Sequence, residues 1–370
     1  MKQKIGTLQA SFLIVNAIVP TAIVVLPSII STRLEQEGPF SIVISAGLGI
    51  LIVLLVADLI KKSNGTPYIE WISKVSSPFV ATFMGALILG HFIEETAIVL
   101  RQSINFISEN VLLKTPFAVI LLVMMIVSIY ITSQGIEVMA RVSSILVLLY
   151  ILPIPIYMSG VADFNQFSRL LPIFEHSPND FILGSLGPAN WVSEVSFLLY
   201  IAPYLKSPER SRSIGFLSLS FTCIIILIIY VPTLLAFGPE YIKVLNYPGY
   251  TYSRLVHLGH AFENLNILFV SYWLLVSYIK LSFFLFVTLE CFKQTLRIKE
   301  NQLFYLLALA LIISLESYYT WDTPDHLYKN NLENQFPGFM LVNFIFPLII
   351  YAMSNIRQWK TRRKGFSSRE

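Results

Sequence analysis

The chain has 370 residues, 55% of them hydrophobic and only 13% charged, with 26 Lys and Arg against 22 Asp and Glu for a formal net charge of +4. A soluble domain of that composition would have to hide more apolar surface than one interior holds, so the solvent of this chain is lipid. The positive excess lies in segments bordering the bilayer, which excludes nucleic acid as the partner. The two cysteines, Cys223 and Cys291, sit in or at the end of apolar segments and give no disulfide framework.

Ten apolar spans lie at roughly 6–30, 40–60, 79–101, 116–134, 142–158, 181–205, 213–237, 265–290, 302–318 and 337–357. The termini and the gaps after the even-numbered spans hold Lys2, Lys4, Lys61, Lys62, Lys74, Arg141, Lys206, Arg210, Arg212, Lys293, Arg297, Lys299, Arg357, Lys360, Arg362, Arg363, Lys364 and Arg369. The other gaps hold only Arg33, Lys114, Arg169, Lys243, Arg254 and Lys329, and collect acids such as Glu35, Glu37, Asp163, Asp180, Glu263, Asp322, Asp325 and Glu333. Basic residues stay on the side where the chain is made, so a multi-pass membrane protein with both termini cytoplasmic is expected. No ten-residue alternation of a membrane barrel is present, and the gaps are too short for a further folded domain. The expectation is one all-α membrane domain over 1–370. The first span is too long for a signal-peptide core and lacks a cleavage site, so it reads as retained.

In chain order, the first span is interrupted by Asn16-Ala-Ile-Val-Pro20-Thr21, where proline removes a backbone donor and crowds the carbonyl four residues earlier. Asp58 closes the second span as a boundary residue. The third carries His91, Glu94, Glu95 and Arg101. At about 100° per residue His91, Glu94, Ile98 and Arg101 share a face, with Glu95 at its border. A charge at the bilayer centre costs about 3 kcal/mol on insertion scales, so this face is expected to look into the bundle. Arg101 is expected to reach outward to the interface. After the fourth span, Glu137 and Arg141 are spaced for a one-turn ion pair.

The sixth span breaks its own helix with Gly184-Ser-Leu-Gly187-Pro188-Ala-Asn190-Trp191-Val-Ser193-Glu194. The eighth places Lys280 near mid-depth, where it needs a carboxylate from Glu94, Glu95 or Glu194. It either locks helices together or stands where a transporter would hold a cation. Glu290 closes that span as a boundary residue. Tyr241, Tyr247, Tyr250, Tyr252, Tyr318, Tyr319 and Trp321 fall at outer boundaries, mostly as an interfacial belt, with a few able to roof an outward cavity.

Spans one and six hold corresponding places in two sets of five, 6–158 and 181–357. Five being odd, the second set crosses in the opposite sense. The expected architecture is therefore a ten-helix, 5+5 inverted-repeat transporter fold with discontinuous helices 1 and 6. Paired breaks at membrane depth mark a midplane cavity, because unpaired amides and carbonyls do not survive in hydrocarbon. Helix N-termini there attract a carboxylate and freed carbonyls accept from ammonium or hydroxyl groups, which suits a small zwitterion or polyol. The competing reading is that Pro20 and Pro188 are ordinary kinks satisfied by neighbouring helices. His91-Phe-Ile-Glu94 is not a two-histidine zinc motif and no phosphate-binding glycine loop exists, so no metal and no cofactor is expected. Glu94 and Glu95 point about 100° apart and cannot address one reacting atom, which argues against an enzyme.

The chain resembles the B subunit of bacterial spore germinant receptors, a permease family within the amino acid–polyamine–organocation transporter superfamily. The likeness covers nearly all of the sequence. It is carried by Gly6-Thr-Leu-Gln9 leading to Leu26-Pro27, by Gly135-Ile-Glu137-Val-Met-Ala-Arg141, and by Leu170-Leu-Pro172-Ile. Ser193-Glu194 with Pro203, and Glu263-Asn-Leu-Asn with Trp273 and Lys280, complete it. The resemblance implies recognition of a small-molecule nutrient at the spore inner membrane beside an A-type subunit and a C-type lipoprotein. Carried onto this sequence, the pocket would be lined by Asn16, Val19, Pro20, Thr21 and Ala22 of span one and by Asn190, Trp191, Ser193 and Glu194 of span six. His91 and Glu94 would close one side. The family's superfamily usually breaks the first span with glycine and small residues, whereas Val19-Pro20-Thr21 stands here. That departure restricts a carboxylate's approach to the backbone and makes a sugar or bulkier ligand thinkable. A proton-coupled amino acid transporter titrating on Glu94, Glu194 or Lys280, and a ligand-free membrane scaffold, are the two other readings.

Overall fold

The structure, a computed structural model, describes residues 3–150, 154–159, 164–256, 265–298, 300–320 and 335–367, with no side-chain description from 360 onward. Lys2, Lys299, Lys329, Arg369, Asp163, Trp321, Asp322, Asp325, Glu333 and the first two residues of the Glu263-Asn-Leu-Asn motif lie outside the described residues. Among the described residues the chain is helical between turns, and the one extended contact is an isolated bridge of Ile5 with Leu205.

The first four spans are α1 (Thr7–Leu34), α2 (Gly38–Ser63), α4 (Pro78–Asn110) and α5 (Phe117–Ser133), with a short amphipathic α3 (Tyr68–Val75) between α2 and α4. In span five the described helical stretches are α6 (Ile136–Tyr150) and α7 (Ile154–Ser159). Span six is α8 (Pro178–Gly184), α9 (Leu186–Ser193) and α10 (Leu198–Ile201) with interposed 3-10 turns. Then come α11 (Ser211–Phe237), the short α12 (Pro239–Ile242) and α13 (Pro248–Ser253), and the long α14 (Leu265–Leu296) and α15 (Gln302–Tyr319). Span ten starts as α16 (Gln335–Met340), widens to a π-turn over Leu341–Ile345 and continues as α17 (Phe346–Ser367). Seven described stretches are long and apolar enough to cross a membrane. One of them, Thr7–Ser63, is α1 and α2 joined at a tight turn, while spans five and six give no single described helix of that length.

α1 is the axis of the bundle. Every residue from Ala10 to Pro27 is buried, against α6, α9, α11 and α14. Its helix is unbroken through Pro20 and Pro27, which corrects the expected discontinuity of helix 1. The reason is the full enclosure. Neighbouring helices pack around both prolines, so the hydrogen bonds they remove from α1 do not unwind it. Trp273 Nε1 donates to the Pro20 carbonyl at 2.8 Å. A Cβ at Gly249 would lie 2.8 Å from the Ile23 carbonyl, the group that Pro27 leaves without its helical donor, so α13 approaches α1 there only because residue 249 is glycine. Span six does depart from α-geometry, as a 3-10 turn over Glu194–Phe197 and another over Ala202–Tyr204.

α5, α15 and α17 form the outer wall and turn Leu122, Ile126, Leu311, Leu348 and Ile349 outward, as lipid-facing helices do. On the face that carries the N-terminus, Lys4 Nζ donates to the carbonyls of Pro203 (3.1 Å) and Leu205 (3.0 Å), capping the end of span six. Gly135, at φ +85°, makes the α5–α6 turn, where any Cβ would strike the Gln3 side chain. Glu137 and Arg141 pair as their spacing predicts. On the opposite face Glu37 is fully buried and its carboxylate accepts the backbone N–H groups of Phe174, Glu175 (3.2 Å) and His176 (3.0 Å) and the His176 ring. That clasp ties the α1–α2 turn to the loop entering span six.

Candidate ligand-binding site

At mid-depth three spans are joined by one polar lock. Lys280 of α14 donates to Thr21 Oγ1 of α1 at 2.9 Å and lies 3.2 Å from Glu194 Oε2 on the 3-10 turn of span six. Trp191 Nε1, one turn earlier in α9, donates to the same Thr21 hydroxyl at 3.0 Å. A buried lysine in a membrane helix is costly unless paired, and here its ammonium has a carboxylate, a hydroxyl and the Phe284 ring, whose centroid is 4.9 Å away. The 3-10 turn begins at Glu194 itself. Tightening the helix there turns the carboxylate toward α14 while Ser193 bonds the Asn190 carbonyl (2.7 Å).

Beside the lock is a cavity of about 20 Å³, walled by Thr21, Glu95, Gln102, Asn190, Glu194 and Phe339 among others. It has room for about one water-sized group. On the N-terminal face Phe92, Phe197, Tyr200 and Phe284 close it as a packed aromatic plug, with Phe92 and Tyr200 edge to face at 4.9 Å and α3 adding Tyr68. Toward the other face Phe106 packs on Trp273 (4.2 Å), Tyr247 (5.1 Å) and Tyr250 (5.3 Å). Tyr247 and Tyr250 thus roof the site, while Tyr241 is exposed. The site is occluded from both sides. A larger cavity, about 330 Å³, lies on the far side of α1 between Ile23, Tyr150, Tyr157, Ile229, Phe269 and Tyr272. Among the described residues its lining carries no charged group to orient a zwitterion, and the charged cavity is the better candidate despite its size.

Of the residues expected at the pocket, Thr21, Asn190, Trp191 and Glu194 meet around it, with Lys280. Asn16 points elsewhere, donating to the Ser143 carbonyl of α6 at 3.1 Å. Val19, Pro20 and Ala22 are buried in packing, and Ser193 faces span ten. His91 packs edge to face on Phe339 at 5.2 Å. Glu94 is exposed and Glu95 is buried, the reverse of the expected order. α4 is rotated so that Glu95, Ile98, Val99 and Gln102, at one helical spacing, face the cavity, because its packing on α14 and α15 sets the rotation. Arg101 is buried as well. It donates to the carbonyls of Ser317 (3.0 Å) and Tyr318 (3.3 Å) at the end of α15 and lies over the Phe117 ring, a helix-capping role in place of the expected reach to the interface.

Besides Ile98, Val99 and Gln102 of α4, two residues of span ten outside the expected set belong to the site or support it. Phe339 forms part of the wall, and Asn343, fully buried on the π-turn, donates to Ser193 Oγ at 2.9 Å and accepts from Ser196 Oγ at 2.7 Å. A lone asparagine in an apolar span was the available signal for the second.

A five-plus-five helical bundle with its polar groups gathered at spans one, three, six, eight and ten defines a membrane protein of the inverted-repeat transporter fold. The fold is similar to that of Mhp1, a nucleobase-cation-symport-1 family transporter solved with bromovinylhydantoin bound (TM-score 0.65, 12% identity, 90% of this chain and 75% of that one). It is likewise similar to MhsT solved with L-phenylalanine (TM-score 0.61, 16% identity, 96% of this chain and all of that one). The family model for spore germination proteins matches residues 4–323, and the chain belongs to that spore permease family. Among its relatives are spore germination protein XB of Bacillus anthracis, 24% identical over 77% of this chain and 81% of the relative, and spore germination protein A2 of Bacillus subtilis, 21% identical over 96% of both.

Proposed function

We propose that this protein is the nutrient-sensing subunit of a spore germination receptor, binding a small amino acid or sugar at the occluded cavity. The observation that carries the reading is the lock itself. Thr21, Glu194 and Lys280 come from three different spans, so a ligand that competes for any of them exchanges interhelical bonds for ligand bonds. Its differential affinity for the opened arrangement then shifts helix packing, which is the form a signal takes. Family membership supports the sensing role, and with it an A-type subunit and a C-type lipoprotein as partners at the spore inner membrane. The lysines and arginines at both ends favour cytoplasmic termini.

One observation favours the transporter reading: Glu95 and Glu194 share the cavity with a single ammonium, an arrangement able to take up and release a proton. Reconstituted liposomes separate the two. A sensor binds labelled alanine, valine or glucose without accumulating it under an imposed proton gradient, and accumulation overturns the sensor. A chain that stays silent to every nutrient class, with its partner subunits present, is a scaffold.

A further inference from the structure

Glu95 is 96% buried, lines the cavity and has no hydrogen-bond or ion-pair partner among the described residues, although Lys280 lies in the same lining and is engaged by Glu194 and Thr21. Asn190 Oδ1, on the wall contributed by span six, is likewise buried without a donor. The wall therefore holds one carboxylate more than it holds ammonium groups and offers at least two unengaged acceptors, Glu95 and Asn190 Oδ1, one charged and one neutral, from two different helices. A buried acceptor without a donor is an unmet cost, and a carboxylate far more so than an amide.

The other end of a zwitterion is less well served. α1 is unbroken through Pro20, so its backbone offers no free N–H groups at mid-depth, and the Trp191 and Lys280 donors are already spent on Thr21 and Glu194, which leaves a carboxylate only the neutral amides of Gln102 and Asn190 and no unpaired cation among the described lining residues. From these placements we infer that the cavity recognises a protonated amine, with Glu95 as its counter-ion and Asn190 Oδ1 as a second acceptor. An ammonium group matches the water-sized space. The rest of a nutrient needs more room than the cavity offers, so part of its wall must move to admit it. The inference rests on the cavity being the nutrient site and narrows what that site takes.

The test uses the full-length chain in lipid nanodiscs and reads thermal stabilisation and equilibrium binding of matched probes. These are L-alanine, ethylamine, propionate and glucose, together with sodium and potassium chloride. Alanine and ethylamine are expected to bind and propionate and glucose to fail. Glu95→Gln is expected to weaken the two amines by about ten- to a hundredfold, and Glu95→Asp, which keeps the charge, to retain part of the affinity. Unliganded melting temperature guards against reading a misfolded variant as a binding loss. Saturable binding of glucose or propionate that Glu95→Gln leaves unchanged overturns the amine assignment while leaving the nutrient site intact. Stabilisation by alkali ions alone, lost in Glu95→Gln, overturns it in favour of an inorganic cation. Silence of every probe overturns both this inference and the sensing role.

Discussion

Lys280 Nζ lies 3.2 Å from Glu194 Oε2, and the two side chains are only 1% and 3% exposed. They come from α14 and from the 3-10 turn of span six, so the pair is a tertiary bond across the middle of the bundle.

Removing one partner strands a charge. Lys280→Met or Glu194→Gln alone is expected to destabilise by about 3–5 kcal/mol, and the double variant by clearly less than the two combined, because a neutral pair of similar volume carries no stranded charge. Thermal unfolding of the four proteins in one detergent gives the cycle. A double variant whose loss equals the sum of the two single losses would show that the two groups act independently.

Much of this arrangement was readable from residue order. Apolar runs and the sidedness of lysine and arginine mark ten crossings, and Lys280 and Glu194 announce themselves as charges that lipid does not tolerate. Which of Glu94 and Glu95 faces inward was not readable. The two differ by one helical step, polar residues lie on both candidate faces, and the rotation of α4 is set by contacts with α14 and α15 distant in sequence. Pro20 posed the same problem. Whether a proline kinks a helix or breaks it depends on whether neighbours enclose it, and α1 is enclosed on every side.

Asn343 links the π-turn of span ten to the turn of span six through Ser193 and Ser196. Asn343→Leu fills the space but leaves two hydroxyls without their partner, at an expected cost of about 1–3 kcal/mol. Because the link joins the segments that carry Glu194 and Phe339, the variant should also shift the nutrient concentration giving half-maximal germination. A shift in melting temperature with an unchanged response would confine Asn343 to stability.

The Glu37 clasp makes an independent prediction on the other face. Glu37→Gln keeps the shape but replaces one acceptor oxygen by an NH₂ group that confronts the N–H donors of residues 174–176. The expected loss is about 1.5–3 kcal/mol, the range for hydrogen bonds to a charged group. It should appear as faster proteolytic cleavage within 170–177, with alanine binding unchanged. Undiminished protection of that loop would mean that the contacts of Gln36 with Pro172 and Glu175 hold it unaided.

Pro20→Ala tests what the proline in α1 is for. Alanine restores an N–H for the Asn16 carbonyl and removes the ring clash, so the fold should be unchanged or more stable, by up to about 3 kcal/mol. The function should not follow. Residue 20 receives the Trp273 hydrogen bond and residue 21 receives those of Trp191 and Lys280, so a change in the backbone at residue 20 displaces the hydroxyl on which the lock turns. The expected outcome is a higher melting temperature with a weaker nutrient response in spores carrying the variant. Rising stability with an intact response would make Pro20 a packing residue and leave Thr21 alone responsible for what α1 contributes to the site.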